Sequence, residues 1–420
     1  MRGFFCIRDR LQFAQSRPAH YLLRVTEQHA IAAHWSGDFD ETALQQWAEQ
    51  LRARFAAPRV SLGLVFIAPK LFPHAAQILE ILQVHAKIPL LAGCSGKSLI
   101  AGDRELEDDS GLALALYALP GAELKAVRFT QEQLEAIETP ADWHEQTGVA
   151  PAQTNGWLVF ADPFHLDGES WLQSWSAAYP GTPVLGGLAS GEFSEQLTQV
   201  YLNGEVFEEG GVAIAVGGAV ALASVISQGC TPIGETWTLT KVEQNFIKEI
   251  GNRPAYKVLE ETFNGLPPAE QQKSRGNLFV GLATNEYLED FHRGDFLIRN
   301  LLGGDPQSGI VAIGALPRIG QTIQFQRRDA AAATEDLHAL LAHVKQELAG
   351  KTIYGGCLCS CNGRGKSLFS APDHDARMVQ TELGPLGVAG FFCNGEIGPV
   401  GTKNFLHGFT ASLALFVKKN

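Results

Sequence analysis

The sequence predicts an α/β protein of duplicated strand–helix–strand–hairpin units, with mixed sheets packed in αββα-like layers and helices outside. Three observations predict it. Apolar runs of strand length alternate with stretches of helical period. Gly and Pro punctuate the run ends. The same order of elements also recurs at one spacing: Pro163 minus Pro69, Pro183 minus Pro89 and Gly187 minus Gly93 all give 94, the mark of an internal repeat.

The first copy opens with a helix over Asp38–Phe55, where Leu44, Trp47, Leu51 and Phe55 share a face. Ser61–Ala68 is a buried strand closed by Pro69. A helix over His74–Ala86 and a strand over Ile88–Ala92 follow, then the glycine-flanked Gly93-Cys94-Ser95-Gly96. Leu112–Leu119 and Glu123–Phe129 form a hairpin about Pro120-Gly121. The second copy runs through Leu158–Ala161, a helix with Trp171 and Trp175, GGLASGE, and the strands Gly211–Val216 and Ala219–Ser227. Glu138–Asn155 reads as the loop between copies. Lys241–Phe263 reads as two short helices and Asn264–Asn277 as a loop. Leu278–Ala283 and Gly309–Ala315 read as strands. Thr334–Leu348 is a helix with Thr334 as its N-cap. Pro385, Gly390 and Gly395-Glu396, followed by a strand over Phe409–Val417, echo the repeat a third time.

With 420 residues, the chain divides into two domains, 1–235 (duplicated near 60–130 and 155–228) and 236–420. A net charge of −12 argues against nucleic acid or an anionic membrane surface as partner. Gly210–Gly234 carries no charge and imitates a membrane span. Its counterpart in the first copy holds Lys125 and Arg128, so it reads as core, without membrane insertion. The apolar run in MRGFFCIRDRLQF is too short for a signal peptide. Seven cysteines, three of them in one alternating run, make no disulfide framework and fit a reducing cytoplasm.

That run is Cys357, Cys359 and Cys361. On a strand all three project from one face. CxCxC is not the paired spacing of structural zinc, so no metal is expected, and small core residues are the plainer reading. Cys361 precedes Asn362-Gly363-Arg364, and a guanidinium favours thiolate. An acyl- or thiol-transfer enzyme would pair Cys361 with His407 as base and Glu396 or Asp375 as orienter. Gly96-Lys97-Ser98 and Gly365-Lys366-Ser367 lack the glycine of a Walker loop, where Leu91 and Ser360 stand instead. No cofactor is expected. The repeated GCSG, GGLASGE and CNGE turns offer Ser95, Ser190 and Asn394 to a small polar ligand, with Arg364 for its carboxylate or phosphate.

These stretches resemble the FIST family, named for F-box and intracellular signal-transduction members. The resemblance rests on GCSGKSLIAGDRELEDDSGLALALY, PVLGGLASGE and YLNGEVFEEGGVAIAVGG for its N domain. NRPAYKVLEETF, FLIRNLLGGDPQSGIVAIG, SCNGRG and GVAGFFCNGEIGPVGTKNFLHGFTASLALF carry it for its C domain. It implies a sensory domain that binds small ligands, amino acids among them, and is attached elsewhere to chemoreceptors, kinases, cyclic-dinucleotide enzymes or an F-box. About thirty residues precede the first helix, so a stand-alone cytoplasmic member signalling through a separate protein is expected. Cys393-Asn394 departs from the small residues usual in the family, and the resemblance implies no catalytic residue. The expected ligand site is Gly93, Cys94, Ser95, Gly96, Ser190, Asn362, Arg364, Asn394, Glu396 and His407. The competing readings are the Cys361/His407 enzyme and a non-catalytic interaction scaffold.

Overall fold

The computed structural model describes residues 29–107 and 111–419; the N-terminal apolar run lies outside them. Its protein is a mixed α/β fold in which the repeat is threefold and begins one strand earlier than the spacing suggested. The first unit comprises β1 (Ala30–Ser36), α1 (Glu41–Arg54), β2 (Leu62–Ile67), α2 (Ala75–His85), β3 (Leu91–Ser95), the hairpin β4 (Leu99–Ala101) and β5 (Arg104–Leu106), and β6 (Gly111–Tyr117). The second comprises β7 (Ala122–Phe129), α3 (Gln131–Glu135), α4 (Pro140–Thr147), β8 (Gly156–Ala161), α5 (Gly168–Ala178), β9 (Val184–Leu188), the hairpin β10 (Val200–Leu202) and β11 (Glu205–Phe207), and β12 (Gly211–Gly218).

The third unit opens with β13 (Val220–Ser227) and is then interrupted. The interruption runs through β14 (Cys230–Glu243), β15 (Phe246–Ile250), β16 (Arg253–Pro254), α6 (Ala255–Asn264), α7 (Pro268–Ser274), β17 (Leu278–Ala283), β18 (Phe296–Asp305), β19 (Ile310–Ile313) and β20 (Thr322–Arg328). The unit resumes with α8 (Ala330–Glu347), β21 (Ile353–Cys361), α9 (Lys366–Phe369), α10 (His374–Leu383), β22 (Val388–Cys393), the hairpin β23 (Gly395–Val400) and β24 (Lys403–His407), and β25 (Ala411–Lys418).

Each unit lays its strands down in one order: β1-β6-β2-β3, β7-β12-β8-β9 and β13-β25-β21-β22. The pairs expected as hairpins are therefore junctions between units. β6 and β7, like β12 and β13, lie in different sheets. The true hairpins are exchanged: β4-β5 completes the third unit's sheet, β10-β11 the first's and β23-β24 the second's. Across any two sheets the order is helix, sheet, sheet, helix, as expected, with the third sheet closing the arrangement. α1 and α2 cover the first sheet, α4 and α5 the second, α8 and α10 the third, and the inner faces share one apolar core.

That core explains two of the cysteines. In the parallel pairs, Phe66 faces Cys94, Phe160 faces Gly187 and Cys359 faces Phe391. Each unit thus supplies one phenylalanine and one small partner. Phe66, Phe160 and Phe391 meet at centroid distances of 5.0, 5.3 and 6.0 Å, so a second large side chain at any small position would overpack the centre.

The residues between 230 and 328 fold as a separate antiparallel barrel. Its order β14-β20-β17-β18-β19-β15 closes because β14 also pairs with β15, around Ile247, Val280, Ile313 and Phe325. The expected boundary after residue 235 falls within β14. The two helices expected over Lys241–Phe263 are a strand pair and one helix, because the alternation in TWTLTKVE outweighs helical period. Both expected loops carry helices, opened by Pro140 and Pro268 at their first turns. The N-cap of α8 is Asp329, whose carboxylate takes the Ala332 N–H at 3.0 Å. Thr334 lies inside the helix and donates to the Ala330 carbonyl.

One glycine per unit is required by close approach. Gly93, Gly186 and Gly390 face Val65, Val159 and Leu358. A Cβ on them would lie 1.7, 1.9 and 1.8 Å from those carbonyl oxygens. The counterpart of Gly93 is therefore Gly186 rather than Gly187, because the segment between β8 and α5 is one residue shorter than that between β2 and α2.

Candidate functional site

Hairpin exchange sends the chain from the end of the second strand of each parallel pair, β3, β9 and β22, into a neighbouring sheet. The three crossings meet in one seam. The Ser190 N–H donates to the Ser95 carbonyl at 3.1 Å, and the Gln199 N–H to Ser95 Oγ at 3.0 Å. Ser190 Oγ accepts from the Lys97 N–H at 2.8 Å and donates to the Phe392 carbonyl. Asn394 Nδ2 donates to the Ala189 carbonyl at 3.0 Å, and Asn362 Nδ2 to Asn394 Oδ1 at 2.8 Å. The Gly96 N–H donates to the Ile67 carbonyl. Ser95, Gly96, Ser190, Asn362 and Asn394 thus come together, but they bond chiefly to one another and to backbone. Gly93 and Cys94 lie in the strand beneath, inside β3 rather than at its turn.

Under the seam lies a buried acid. Glu396 stands opposite Gly187, whose missing side chain makes room for Cys393, 3.1 Å from its Cβ position. Its Oε1 accepts the Cys393 S–H at 3.1 Å and its Oε2 the Thr410 N–H at 3.0 Å. Burial raises its carboxyl from 4.5 to about 8 against these hydrogen bonds. Burial, with Glu396 beside it, also pushes the Cys361 thiol up to about 12, and Cys361 Sγ accepts the Gly363 N–H at 3.4 Å. His407 donates from Nε2 to the Gly398 carbonyl at 3.0 Å, and burial lowers it from 6.5 to about 4. Cys361 and His407 therefore bond to different partners, and neither carries the charge of a thiolate–imidazolium pair. Phe409, between His407 and Thr410, adopts φ 61°, strained for an aromatic residue, and packs on Phe279 of the barrel at 4.2 Å.

Glu396 makes a pH prediction with a defined sign. Its folded pKa lies above its unfolded one, so its contribution is complete below about pH 4.5 and lost as pH rises towards 8. His407 acts oppositely, losing stability only as pH falls through 6.5 towards 4. Between pH 6.5 and 8, Glu396→Gln should therefore remove a slope of at most about 1.4 kcal/mol per pH unit. Urea midpoints across that interval check it; an unchanged slope means Glu396 is ionised throughout.

Arg364 turns away from the seam. It is 1% exposed and donates from Nε and Nη2 to the two oxygens of Asp375 at 2.6 and 2.9 Å. Asp375 also accepts from Ser360 Oγ at 2.8 Å and lies 2.9 Å from His374 Nδ1. Arg364 and His374 hold its carboxyl below the usual range despite burial. Glu105 of the exchanged hairpin joins this network, accepting the Asp375 and Ala376 N–H groups at 2.8 and 3.0 Å. It thereby binds the first turn of α10 across 270 residues of sequence.

A groove of about 650 Å³ opens elsewhere, between α5, the β23-β24 hairpin and the barrel. Leu172, Leu282, Leu297, Leu316, Phe405 and Leu406 form apolar walls, and Glu169, Arg299, Arg318 and Lys403 are its charged groups. Arg299 sits at the floor, 11% exposed. It donates to the Leu406 carbonyl and Glu169 Oε1, both at 3.0 Å. None of the expected site residues lines this groove. It is formed by the arrival of the barrel, which no local motif announces; the lone arginine in the apolar run FLIRNLL was its sequence signal.

Among the described residues, no group of three or more His, Cys, Asp or Glu is placed to hold a metal, and no helix is long and apolar enough to cross a membrane. The six described cysteines are unbridged.

The FIST N domain model matches residues 61–253 and the FIST C domain model residues 255–399. An uncharacterized protein of Mycobacterium tuberculosis (strain H37Rv) is 36% identical over 382 residues, covering 89% of this chain and 96% of that protein. Another, of Mycobacterium bovis, is 34% identical over 377 residues, covering 88% and 94%. A solved structure of cyanuric acid hydrolase is 8% identical with a TM-score of 0.35, over 93% of this chain and 100% of that one, a likeness too weak to carry an argument.

Proposed function

We propose that this chain, which belongs to the FIST family through both its N and its C domain, is a sensory protein that binds a small apolar amino acid or related carboxylate in the groove between its three-unit body and its barrel. The observation that carries this reading is the groove itself: apolar walls, three cations and one carboxylate converging from separate parts of the fold. In a chain of net charge −12, a cation-rich concavity is a local inversion that favours a carboxylate. Lys403, with Arg318 behind it in a 2.7 Å pair with Glu286, would take the ligand's carboxylate, Glu169 its ammonium, and Leu172, Leu282 and Phe405 its side chain. Walls from two bodies let occupancy bias how they sit together, which a separate signalling partner could read.

A thermal-shift series with leucine, isocaproate and leucine amide tests it. Leucine should raise the melting temperature saturably, by the equivalent of about 2.7 kcal/mol at a hundredfold excess over Kd. Leucine amide, lacking the carboxylate, should do so far less. No shift with any small carboxylate, or equal shifts with the amide, would reject the reading.

A further inference from the structure

We propose that the neck joining the barrel to the third unit binds a small oxyanion, a phosphate or carboxylate group, between Arg364, Arg328 and Arg293. The neck consists of the first residue of β14 and the last of β20, since Cys230 and Arg328 are paired. Arg364 spends Nε and Nη2 on Asp375, and its buried Nη1 has no protein acceptor among the described residues. Arg328 Nη1 donates to the Gly363 carbonyl at 3.0 Å and Arg293 Nη1 to the Ala332 carbonyl at 3.3 Å. The Nε of each is buried, again without a protein acceptor among the described residues. Buried guanidinium nitrogens are normally satisfied. Three such atoms in one locality call for an acceptor with several oxygens.

Position supports the same ligand chemistry. The Cβ site of Gly229 is 3.0 Å from Arg364 Nη1 and 2.6 Å from the Ala333 side chain, so this guanidinium edge lies beside the first turn of an eighteen-residue helix, α8. Its dipole adds to the attraction for an anion. Arg328 Nη1 meets Gly363, the residue before Arg364, and Arg293 Nη1 meets Ala332, the residue before Ala333, so the three guanidinium groups converge on this turn; burial pushes the Cys230 thiol beside them up to about 12, with the arginines acting against it and Asp336 with it. The nearby carboxylates are partly committed: Asp375 to Arg364, Asp336 to Ser227 Oγ and the Gln228 N–H at 2.8 and 3.1 Å, and Asp329 to the Ala332 N–H of the same helix turn and to Arg327 at 3.0 and 2.7 Å. Glu335 reaches Arg293 at 3.7 Å.

The test titrates the full chain with inorganic phosphate and, separately, acetate, each against sodium chloride of equal ionic strength, following the melting temperature. The inference expects a saturable rise with one of the two anions, and the stronger one identifies the class. Arg328→Gln, and independently Arg293→Gln, should weaken the apparent affinity about tenfold. Lys403→Glu, in the groove, should leave it unchanged, which separates this site from the amino-acid site. A rise matched by chloride, a rise intact in both arginine variants, or a rise lost in Lys403→Glu would each overturn the inference.

Discussion

Replacing Gly93, Gly186 or Gly390 by alanine should abolish stable folding, and to the same degree at all three positions. Each added methyl carbon would fall within 2 Å of a backbone carbonyl oxygen of the adjacent strand. The obstruction is main chain, held in a parallel ladder with both faces buried, so it cannot turn aside as a side chain would. Parting those strands means breaking ladder bonds and opening the inner core around Phe66, Phe160 and Phe391. A cost of about 4 kcal/mol or more follows, near the whole stability of many domains. Gly303→Ala is the control: nothing lies within 4 Å of its Cβ position, and a change within about 0.5 kcal/mol is expected. Urea midpoints of soluble protein check the set. Tolerance at one position alone would show that the units are not equivalent there.

The second large effect is expected at the Arg364–Asp375 pair. Both side chains are within 1% of full burial. The carboxylate also accepts from Ser360, and its segment is bound by Glu105 of the exchanged hairpin. Asp375→Ala leaves a buried guanidinium without its bidentate acceptor and should cost about 3–5 kcal/mol. The double variant Arg364→Met, Asp375→Leu should recover a substantial part, because the penalty comes from the stranded charge rather than the missing pair. Denaturant unfolding of both proteins measures this. Equal loss in the single and double variants would assign the cost to packing of α10.

The repeat was legible because sheet-forming runs and their punctuating glycines and prolines keep their spacing, as Pro69 and Pro163 do. Its frame was not. Whether LALALYALPGAELKAVRF forms a hairpin or a junction depends on which sheet each half joins, and both halves satisfy strand patterning either way. The seam was legible for a similar reason: polar residues between glycines at strand ends mark Ser95, Ser190 and Asn394. What those residues bond to was not legible, since most of their partners lie about a hundred or more residues away, as Gln199 does from Ser95 and Ala189 from Asn394. Cys94 was expected at a ligand site and Cys359 as a small core residue; both are the small counterparts of phenylalanines, a relation only the register reveals. Arg364, read as an anion anchor, has Asp375 as its partner because α10 folds back over β21. The groove left least trace, since its walls come from α5, the barrel and the β23-β24 hairpin, which share no motif.

The central claim, that a ligand is held between body and barrel rather than at the seam, is tested most directly by calorimetric titration of leucine into three proteins: the wild type, Lys403→Glu and Asn394→Ala. Both substituted side chains are exposed, so each variant should fold. The groove account predicts affinity at least about tenfold weaker in Lys403→Glu, from a lost charge-assisted contact and an added repulsion, and unchanged in Asn394→Ala. Loss in Asn394→Ala with full binding in Lys403→Glu would contradict it and place the ligand at the seam.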